Sequence, residues 1–379
     1  MTMNVLDAVA VAFSLILAVW GVRNIWRIKN FPDLESSAQP RSGPLVSIII
    51  PTRNQEPTIA ACLESIIKQD YPLTEVIVVD GQSTDRTDEV VRAFGASIML
   101  IPEPRLPYGW VGKNWACNVG YLHSKGEYLL FTDGDVAFGK SALSAAMSEM
   151  LRSKCDLLTM WPRIIMKTFW EKLVLPLIFV AWFVEFGGMK VNSDESRSAA
   201  FGPFILVSRR SYEAAGGHES VRRSTGEDYR LAQRFKESHL AVRVVGGTGF
   251  VSTRMYSKLA DIWHGFLKNE FESFDFSMLP AVFAGARQAA VYIVPLLFFA
   301  LGILLAYDLP TALAVSLPYL TMTAVMLVLY RLMGYDSEYA VLSAIAAAIY
   351  LGIRAHSIYL GVTARGVEWK GRTYRQSRL

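Results

Sequence analysis

Apolar residues form one long run near the start of the chain and three more toward its end. Residues 5–22 carry a single charge, Asp7, and this run is just long enough to cross the hydrocarbon core of a bilayer. We therefore predict a transmembrane anchor over residues 1–29 and transmembrane helices over residues 286–361. The three later runs lie at about 286–306, 311–330 and 338–360.

The basic residues beside these runs predict the side of the membrane on which the neighbouring chain lies. Arg23, Arg27 and Lys29 follow the first run directly and no lysine or arginine precedes it, so the chain after the anchor is expected in the cytoplasm. The tail, residues 362–379, holds only one acid, Glu368, and is expected on the same side. Its basic residues are Arg365, Lys370, Arg372, Arg375 and Arg378.

The α/β region and the tail are both predicted on the cytoplasmic side, and this conflicts with three full crossings between them. Three crossings after a cytoplasmic domain would place the tail outside the cell. Arg354 and His356 lie inside the last apolar run, and such side chains are costly in hydrocarbon. They are consistent with a run that is tilted, re-entrant or in the interface, and the sequence leaves the number of crossings open.

Between the apolar blocks, residues 45–250 alternate between short β-branched runs and helical stretches, which predicts βαβ units around a mostly parallel sheet. A polar linker, residues 30–44, precedes this α/β domain, and a juxtamembrane segment, residues 251–285, follows it. The aromatic stretch 169–187 predicts an interfacial helix against the bilayer, with a buried core helix as the alternative. The predicted strands are 46–50, 75–80, 97–101, 127–133, 155–161, 203–208 and 241–245.

Composition and charge exclude several classes of protein. Hydrophobic residues make up 52% of the 379 residues and charged residues 19%, which is more apolar than is usual for a soluble domain. The net charge is only +4 and the basic residues form no continuous stripe, so we expect no nucleic-acid partner. Cys62, Cys117 and Cys155 lie far apart, which predicts neither a disulfide framework nor a zinc site.

Acidic residues follow two of the predicted strands directly. Asp133 and Asp135 form an Asp-Gly-Asp at the end of one strand, and Asp80 ends another. Two carboxylates one residue apart at a strand end can hold a hard divalent cation and leave positions for phosphate oxygens and water. We therefore predict a Mg²⁺ or Mn²⁺ site at Asp133 and Asp135, although such a triplet taken alone is often a surface turn.

Polar residues after the first strand extend this predicted site. Pro51 fixes the strand exit, and Asn54 and Glu56 could line a base and ribose pocket together with Asp80. Capping of the next helix is the alternative role for Asn54. Lys113, at the start of a later helix, could meet a diphosphate, or it could be a solvated lysine.

These motifs together resemble glycosyltransferase family 2, inverting enzymes of the GT-A fold, across about residues 45–250. The matching strings are VSIIIPTRNQE, EVIVVDGQSTDRT, GKNWACNVG, YLLFTDGD and GEDYRLAQRFK. The resemblance implies a Rossmann-like nucleotide-sugar domain. The single anchor, the TRMY string before Trp263, the apolar C-terminal block and the ending VEWKGRTY look like bacterial hopene-associated and carotenoid glycosyltransferases. The sequence lacks a motif that begins with Gln or Arg and continues x-x-Arg-Trp. A processive polysaccharide synthase is therefore not expected.

The resemblance also implies roles for single residues. Pro51, Glu56 and Asp80 would contact the nucleotide, and Asp133 and Asp135 would serve ribose, diphosphate and metal. Asp228 would be the catalytic base, with helix capping as its alternative role. The segment 251–285 would close over the donor, so that Arg254 contacts the diphosphate unless it binds a lipid headgroup. Glu227 and Trp263 are predicted at the acceptor.

The function expected from this resemblance is transfer of a hexose, glucose from a UDP donor, to a hydroxyl or carboxylate of a membrane lipid such as a carotenoid or another isoprenoid. The protein would be a multi-pass cell-membrane enzyme with its catalytic domain in the cytoplasm. Two alternatives remain open. One is a polyprenyl-phosphate sugar synthase with a phosphate acceptor, and the other is a non-catalytic membrane scaffold that keeps the fold.

Overall fold

The central element of the protein is a seven-stranded sheet with helices on both faces. The computed structural model describes residues 5–35, 43–185, 191–194, 196–305, 308–363 and 365–374. The helices are α1 (Val5–Lys29), α2 (Ile59–Ile67), α3 (Thr87–Arg92), α4 (Gly112–His123), α5 (Ala142–Ser153), α6 (Phe169–Glu185), α7 (Arg209–Ala214), α8 (Gly217–Ser220), α9 (Glu227–Glu237), α10 (Leu259–Glu270), α11 (Met278–Tyr292), α12 (Val294–Leu305), α13 (Leu309–Leu332) and α14 (Ser343–Val362). The strands are β1 (Val46–Thr52), β2 (Thr74–Asp80), β3 (Met99–Pro102), β4 (Tyr128–Phe131), β5 (Val136–Phe138), β6 (Leu157–Trp161), β7 (Arg163–Ile164), β8 (Ile205–Ser208), β9 (Val242–Gly246), β10 (Val251–Thr253), β11 (Val367–Trp369) and β12 (Arg372–Tyr374).

The strand order of the main sheet is β3-β2-β1-β4-β8-β6-β9. Strand β1 runs parallel to both neighbours, with Val46 opposite Thr74 of β2 and Tyr128 of β4. Strand β8 is antiparallel to both β4 and β6. Because β1 to β4 all point the same way, their carboxyl ends meet at one edge of the sheet, where polar loops follow them.

The apolar residues of β1 explain why this strand lies in the middle of the sheet. Ile48 and Ile50 face one core, which they form with α2 and α5, whereas Ile49 faces a second core with α4 and α9. Successive side chains of a strand point to opposite faces, and a strand covered on both faces is therefore apolar throughout. The two cores hold the carboxyl ends of the strands in fixed positions.

In the described part of the chain, four helical segments are long and apolar enough to cross a membrane by length and composition: Val5–Lys29, Met278–Leu304, Leu309–Leu332 and Ser337–Val362. Helices α1 and α13 pack closely, because Gly21 has no side chain that would collide with Val325. After α1 the chain joins the edge of the main sheet, where the Leu34 N–H donates to the Gly246 carbonyl at 2.8 Å. The protein is thus a membrane-associated α/β protein.

Helix α6 lies between the α/β domain and the apolar helices. Its residues from Leu173 to Ala181 are buried, while Phe169 and Trp170 at its start are 51% and 38% exposed. Nearby, Arg354 of α14 is buried and its Nε lies 2.6 Å from Glu270 Oε1 of α10. This ion pair fixes the last apolar helix against the end of the α/β domain.

The predicted fold class, an α/β domain with apolar helices before and after it, is confirmed. Strands occur at all seven predicted positions, with shorter bounds in several cases. The structure adds the small sheet β5-β10-β7 and the hairpin β11-β12, which the sequence analysis did not predict. Part of the predicted linker (36–42), the end of the predicted helix 169–187 and the basic residues Arg375 and Arg378 lie outside the described residues.

Candidate active site

A cavity of about 290 Å³ opens at the carboxyl edge of the main sheet. Pro51 at the end of β1, Lys113 in the first turn of α4, Asp133 and Asp135 after β4, and Glu227 at the start of α9 all line it. In open α/β sheets, ligands bind at this edge. The structure therefore brings five of the predicted site residues, which are far apart in sequence, into one cavity.

Lys113 joins two of the acids of the cavity. Its Nζ lies 2.5 Å from Asp133 Oδ1 and 2.6 Å from Glu227 Oε1. Burial lowers the pKa of Lys113, but the two carboxylates outweigh burial and raise that pKa well above its usual value. The lysine is consequently a permanent cation at the floor of the cavity.

Asp133 and Asp135 form the pair of carboxylates that could hold a cation. Burial, with the negative charge of Asp133 added, raises the pKa of Asp135 to about 6. Among the described residues no group of three or more histidines, cysteines or acids is placed to hold a metal ion. Two carboxylates suit a hard cation that takes its remaining ligands from phosphate oxygens and water, which is how Mg²⁺ is usually bound.

Asp228, the second residue of α9, is held by backbone groups. Its Oδ2 accepts from the Gly202 N–H at 3.1 Å and its Oδ1 from the Tyr229 N–H at 2.8 Å. Burial and the adjacent charge of Glu227 raise the pKa of the Asp228 carboxyl to about 6. A carboxylate with such a pKa is still mostly ionised at neutral pH but is a stronger base than an ordinary aspartate.

Gly202 is the point at which the key groups converge. A Cβ built on this glycine would lie 3.0 Å from Asp133 Oδ2, 3.1 Å from Lys113 Nζ and 3.7 Å from Asp228 Oδ2. The close approach of these charged groups explains why the position requires glycine. The predicted base is therefore near the predicted diphosphate site.

Asp228 lines a second, smaller cavity of about 80 Å³. Trp182 of α6 and Phe201 line it, together with Asn269 and Glu270 at the end of α10. Asn269 Oδ1 is buried with no hydrogen-bond partner in the described part of the chain. The cavity thus offers a mainly apolar wall with a few polar groups, and its lining residues Trp182 and Glu270 contact Tyr350 of α14.

Two of the predicted nucleotide contacts lie beside the main cavity. The Asp80 carboxylate accepts from the Ser83 N–H at 3.1 Å. Glu56 pairs with Arg86, whose Nη2 lies 2.5 Å from Glu56 Oε1, and this hydrogen bond lowers the pKa of Glu56. Both side chains already have polar partners, so a nucleotide contact at either residue would require these partners to be exchanged or shared.

The remaining predicted residues come from the segment after β10. Arg254 makes a two-pronged pair with the buried Glu171, at 2.8 and 3.1 Å, and lines a wider cleft outside the main cavity. Trp263 of α10 packs against Gly352 of α14 and donates from Nε1 to His356 Nδ1 at 3.0 Å. Trp263 thus lies at the contact between α10 and the last apolar helix.

Several residues of the cavity were missed by the sequence analysis. Lys268 of α10 and Glu103 after β3 line it, and so do Trp369, Lys370 and Arg372 of the hairpin β11-β12. A sequence signal existed for the hairpin, since its basic residues and the string VEWKGRTY were noted, but they were interpreted as indicators of membrane topology and of family resemblance.

Comparison with known proteins defines the class of this domain. The family model described as Glycosyl transferase family 2 matches residues 47–215. This part of the chain, which contains the acids Asp80, Asp133 and Asp135, matches that family model. The predicted class, a glycosyltransferase, is confirmed for this domain.

Two known proteins are similar to this chain, one in sequence and one in structure. The 4,4'-diaponeurosporenoate glycosyltransferase of Staphylococcus aureus strain USA300 is 35% identical over 221 residues, which are 56% of this chain and 57% of that relative. The chain thus matches somewhat more than half the length of this relative. The mannosyltransferase PcManGT of Pyrobaculum calidifontis, solved in complex with GDP-Man and Mn²⁺, superposes with a TM-score of 0.54 at 20% identity and covers 91% of this chain and 98% of its own. This structural likeness shows the fold.

Proposed function

We propose that the protein is an inverting, metal-dependent glycosyltransferase that moves a hexose from a nucleotide-sugar to an amphipathic membrane lipid. One observation carries this proposal. Adjacent acids of α9 line different cavities, because Glu227 lines the polar cavity at the sheet edge and Asp228 lines the small apolar one. Asp228 therefore lines a site suited to an apolar acceptor, and at Gly202 it comes close to Lys113 and Asp133 of the site suited to a charged donor.

The charged residues of the larger cavity support the proposal that the nucleotide-sugar donor binds there. Lys113 lies within reach of a diphosphate there, and Asp133 and Asp135 would hold Mg²⁺ or Mn²⁺. Such a cation, when bound, neutralises charge on the departing diphosphate. The relative with the same fold binds Mn²⁺ together with GDP-Man. Arg254, in the cleft outside, would contribute if it left Glu171.

The acceptor end is supported by the position of the smaller cavity. Trp182 belongs to α6, which packs against α14, so a lipid could reach Asp228 from the bilayer without crossing water. The carboxylate of Asp228 would take the proton of the acceptor hydroxyl while that oxygen attacks the anomeric carbon from the face opposite the diphosphate. Asn269 Oδ1 offers an acceptor for a polar group of the lipid.

The identity of the substrates extends this proposal. The similar staphylococcal protein is named for 4,4'-diaponeurosporenoate, which is a carboxylate. We accordingly propose a carotenoid or related isoprenoid as the acceptor and UDP-glucose as the donor. A polyprenyl-phosphate acceptor is less well supported, since the residues described around the small cavity include Asp228, Glu270 and Glu272 but no lysine or arginine. These acids would repel any anionic acceptor, and they would repel a phosphate more strongly than a carboxylate because a phosphate carries more negative charge.

We also propose that three helical segments cross the membrane and that α14 does not. The chain leaves the α/β domain at α11 and returns to it after α13, where Lys172 Nζ lies 2.8 Å from Asp336 Oδ2. The hairpin after α14 lines the cavity of the α/β domain as well. Both ends of α14 thus lie on the side of the domain, and the number of crossings between them must be even. With Arg23, Arg27 and Lys29 after α1, that side would be the cytoplasm.

The test is sugar transfer by the purified protein in detergent. Radiolabelled UDP-glucose, Mn²⁺ and an isoprenoid carboxylate or alcohol would be incubated with the protein, and the lipid extract would be counted. We expect labelled lipid from the unaltered protein, and loss of both transfer and metal-dependent nucleotide binding in Asp135→Ala. Asp88→Asn, an exposed acid of α3, is the matched control and should keep full activity. Full activity in Asp135→Ala would refute the assignment of the site.

A further inference from the structure

The hairpin β11-β12 is built to hold one lysine at its tip. Val367 pairs with Tyr374 and Trp369 with Arg372, which leaves Lys370 and Gly371 as a two-residue turn. Both turn residues have positive φ, 48° and 72°, the conformation of the type I′ turns that close tight hairpins. A lysine is unusual in this conformation, since glycine, asparagine and aspartate adopt it more easily. The turn thus presents an ammonium group at the most protruding point of the hairpin.

The hairpin is attached to the edge of the main sheet at which the strands end. Arg372 Nη2 lies 2.7 Å from Glu103 Oε2, after β3, and donates to the Gly81 carbonyl, after β2, at 3.3 Å. Gly112 at the start of α4 leaves room for the guanidinium, because a Cβ there would lie 2.1 Å from Arg372 Nη1. Glu103 is buried and pairs with a guanidinium that is itself only 14% exposed. The attachment therefore has the character of an internal contact.

The tip of the hairpin also makes hydrogen bonds to the end of β1. Lys370 Nζ donates to the Arg53 carbonyl at 3.1 Å, and Arg53 Nε donates to the Lys370 carbonyl at 3.0 Å. On the other side of the hairpin, the Lys268 ammonium lies 4.8 Å from the centre of the Trp369 ring. The end of β1, α10 and the hairpin thus form one continuous wall around the cavity.

Lys370 lies at the rim of the donor cavity. It lines both this cavity, together with Asp133 and Asp135, and the wider cleft outside. A diphosphate held by the two aspartates and a cation would carry charge toward this rim, and the lysine ammonium can donate further hydrogen bonds beside the one to Arg53. Charge-assisted hydrogen bonds to phosphate are among the stronger polar contacts in proteins.

We propose that the hairpin 367–374 is a cap of the donor site, in which Lys370 binds the diphosphate of the nucleotide-sugar and Arg372 holds the cap on Glu103. This inference rests on the proposed function and adds a binding residue to it. Since the hairpin follows α14 almost directly, the same helix that is fixed to α10 by Arg354 also positions the cap. Donor binding and attachment of the last helix would thus be linked.

The test compares nucleoside diphosphates with the corresponding monophosphates. Calorimetric titration in the presence of Mn²⁺ would first find which of UDP, GDP, ADP and dTDP the full-length protein binds best. Lys370→Met should weaken binding of that diphosphate by about tenfold or more, the loss of one charge-assisted hydrogen bond. Binding of the monophosphate should change by less than about threefold, since we place Lys370 at the terminal phosphate.

Two further variants distinguish the loss of a direct contact between Lys370 and the diphosphate from an effect of the substitution on folding. Lys370→Arg keeps the charge and should restore most of the diphosphate affinity. Lys125→Met removes an exposed lysine near the opposite edge of the sheet and should change neither affinity. Equal diphosphate affinity of Lys370→Met and the unaltered protein would overturn the inference, as would an equal loss for mono- and diphosphate. Absence of nucleotide binding by the unaltered protein would instead remove the proposed function itself.

Discussion

Replacing Glu227 by glutamine should shift the pH dependence of sugar transfer in a direction set by the structure. Asp228 has a pKa of about 6 because it is buried and because Glu227 lies next to it. Removing the neighbouring negative charge favours the ionised form of Asp228, and it leaves Lys113 with one carboxylate partner fewer. Loss of the Glu227 charge therefore lowers the pKa of Asp228, while the part of its shift that is due to burial remains.

The size of the effect follows from the titration of one carboxylate. With a pKa of about 6, Asp228 is about 99% ionised at pH 8 and about 9% ionised at pH 5, so kcat/KM should fall about elevenfold between these values. At an unshifted aspartate pKa the fall would be only about 6%. The fall of kcat/KM toward low pH is the acid limb of the pH profile. In Glu227→Gln, we expect this acid limb to occur about one pH unit lower.

The assay is the initial rate of transfer at low acceptor concentration, measured from pH 4.5 to 8.5 with a neutral isoprenoid alcohol. The value of kcat/KM reports the free enzyme, so the limb can be compared with the structure described here. Asp228→Asn is the reference: its rate should be about 10² to 10⁴ lower and should lack the acid limb. An upward shift of the limb in Glu227→Gln, or an unchanged limb in Asp228→Asn, would refute Asp228 as the titrating base.

Three other predictions concern packing and topology. Gly202→Ala places a methyl carbon 3.0 Å from the Asp133 carboxylate, so the rate of sugar transfer should fall about tenfold or more. The free energy of unfolding, measured by denaturant titration, should change by less than about 2 kcal/mol. Arg354→Met leaves the buried Glu270 without its cation, whereas Glu185 keeps Arg287, and the same titration should show a loss of about 3 to 5 kcal/mol. In right-side-out vesicles, a membrane-impermeant maleimide should label Leu309→Cys and spare Glu338→Cys, and the reverse pattern would contradict our topology.

Much of the architecture followed from local patterns in the sequence. The run from Val5 to Val22 and the β-branched strands are each encoded by consecutive residues, because burial on both faces of a strand and burial in lipid both require unbroken apolar stretches. The strand-end acids Asp133 and Asp135 were predicted in the same way, since parallel strands bring their carboxyl ends to one edge. Periodicity and the order of the elements were sufficient for these predictions.

Other features depend on contacts between distant parts of the chain. Arg354 was recognised as unusual in an apolar run, but its partner Glu270 is found only once α10 and α14 pack together. The position of the basic tail likewise depends on such contacts, since Lys370 meets Arg53 across more than three hundred residues.

The sequence by itself determined the α/β domain, its apolar helices and the acids at the strand ends. Only the tertiary structure decided that the adjacent Glu227 and Asp228 line different cavities and that a hairpin after the last helix lines the larger one. The physical reason is that a periodic pattern records whether a residue is buried, whereas the partner of a buried charge is chosen by the packing of whole elements.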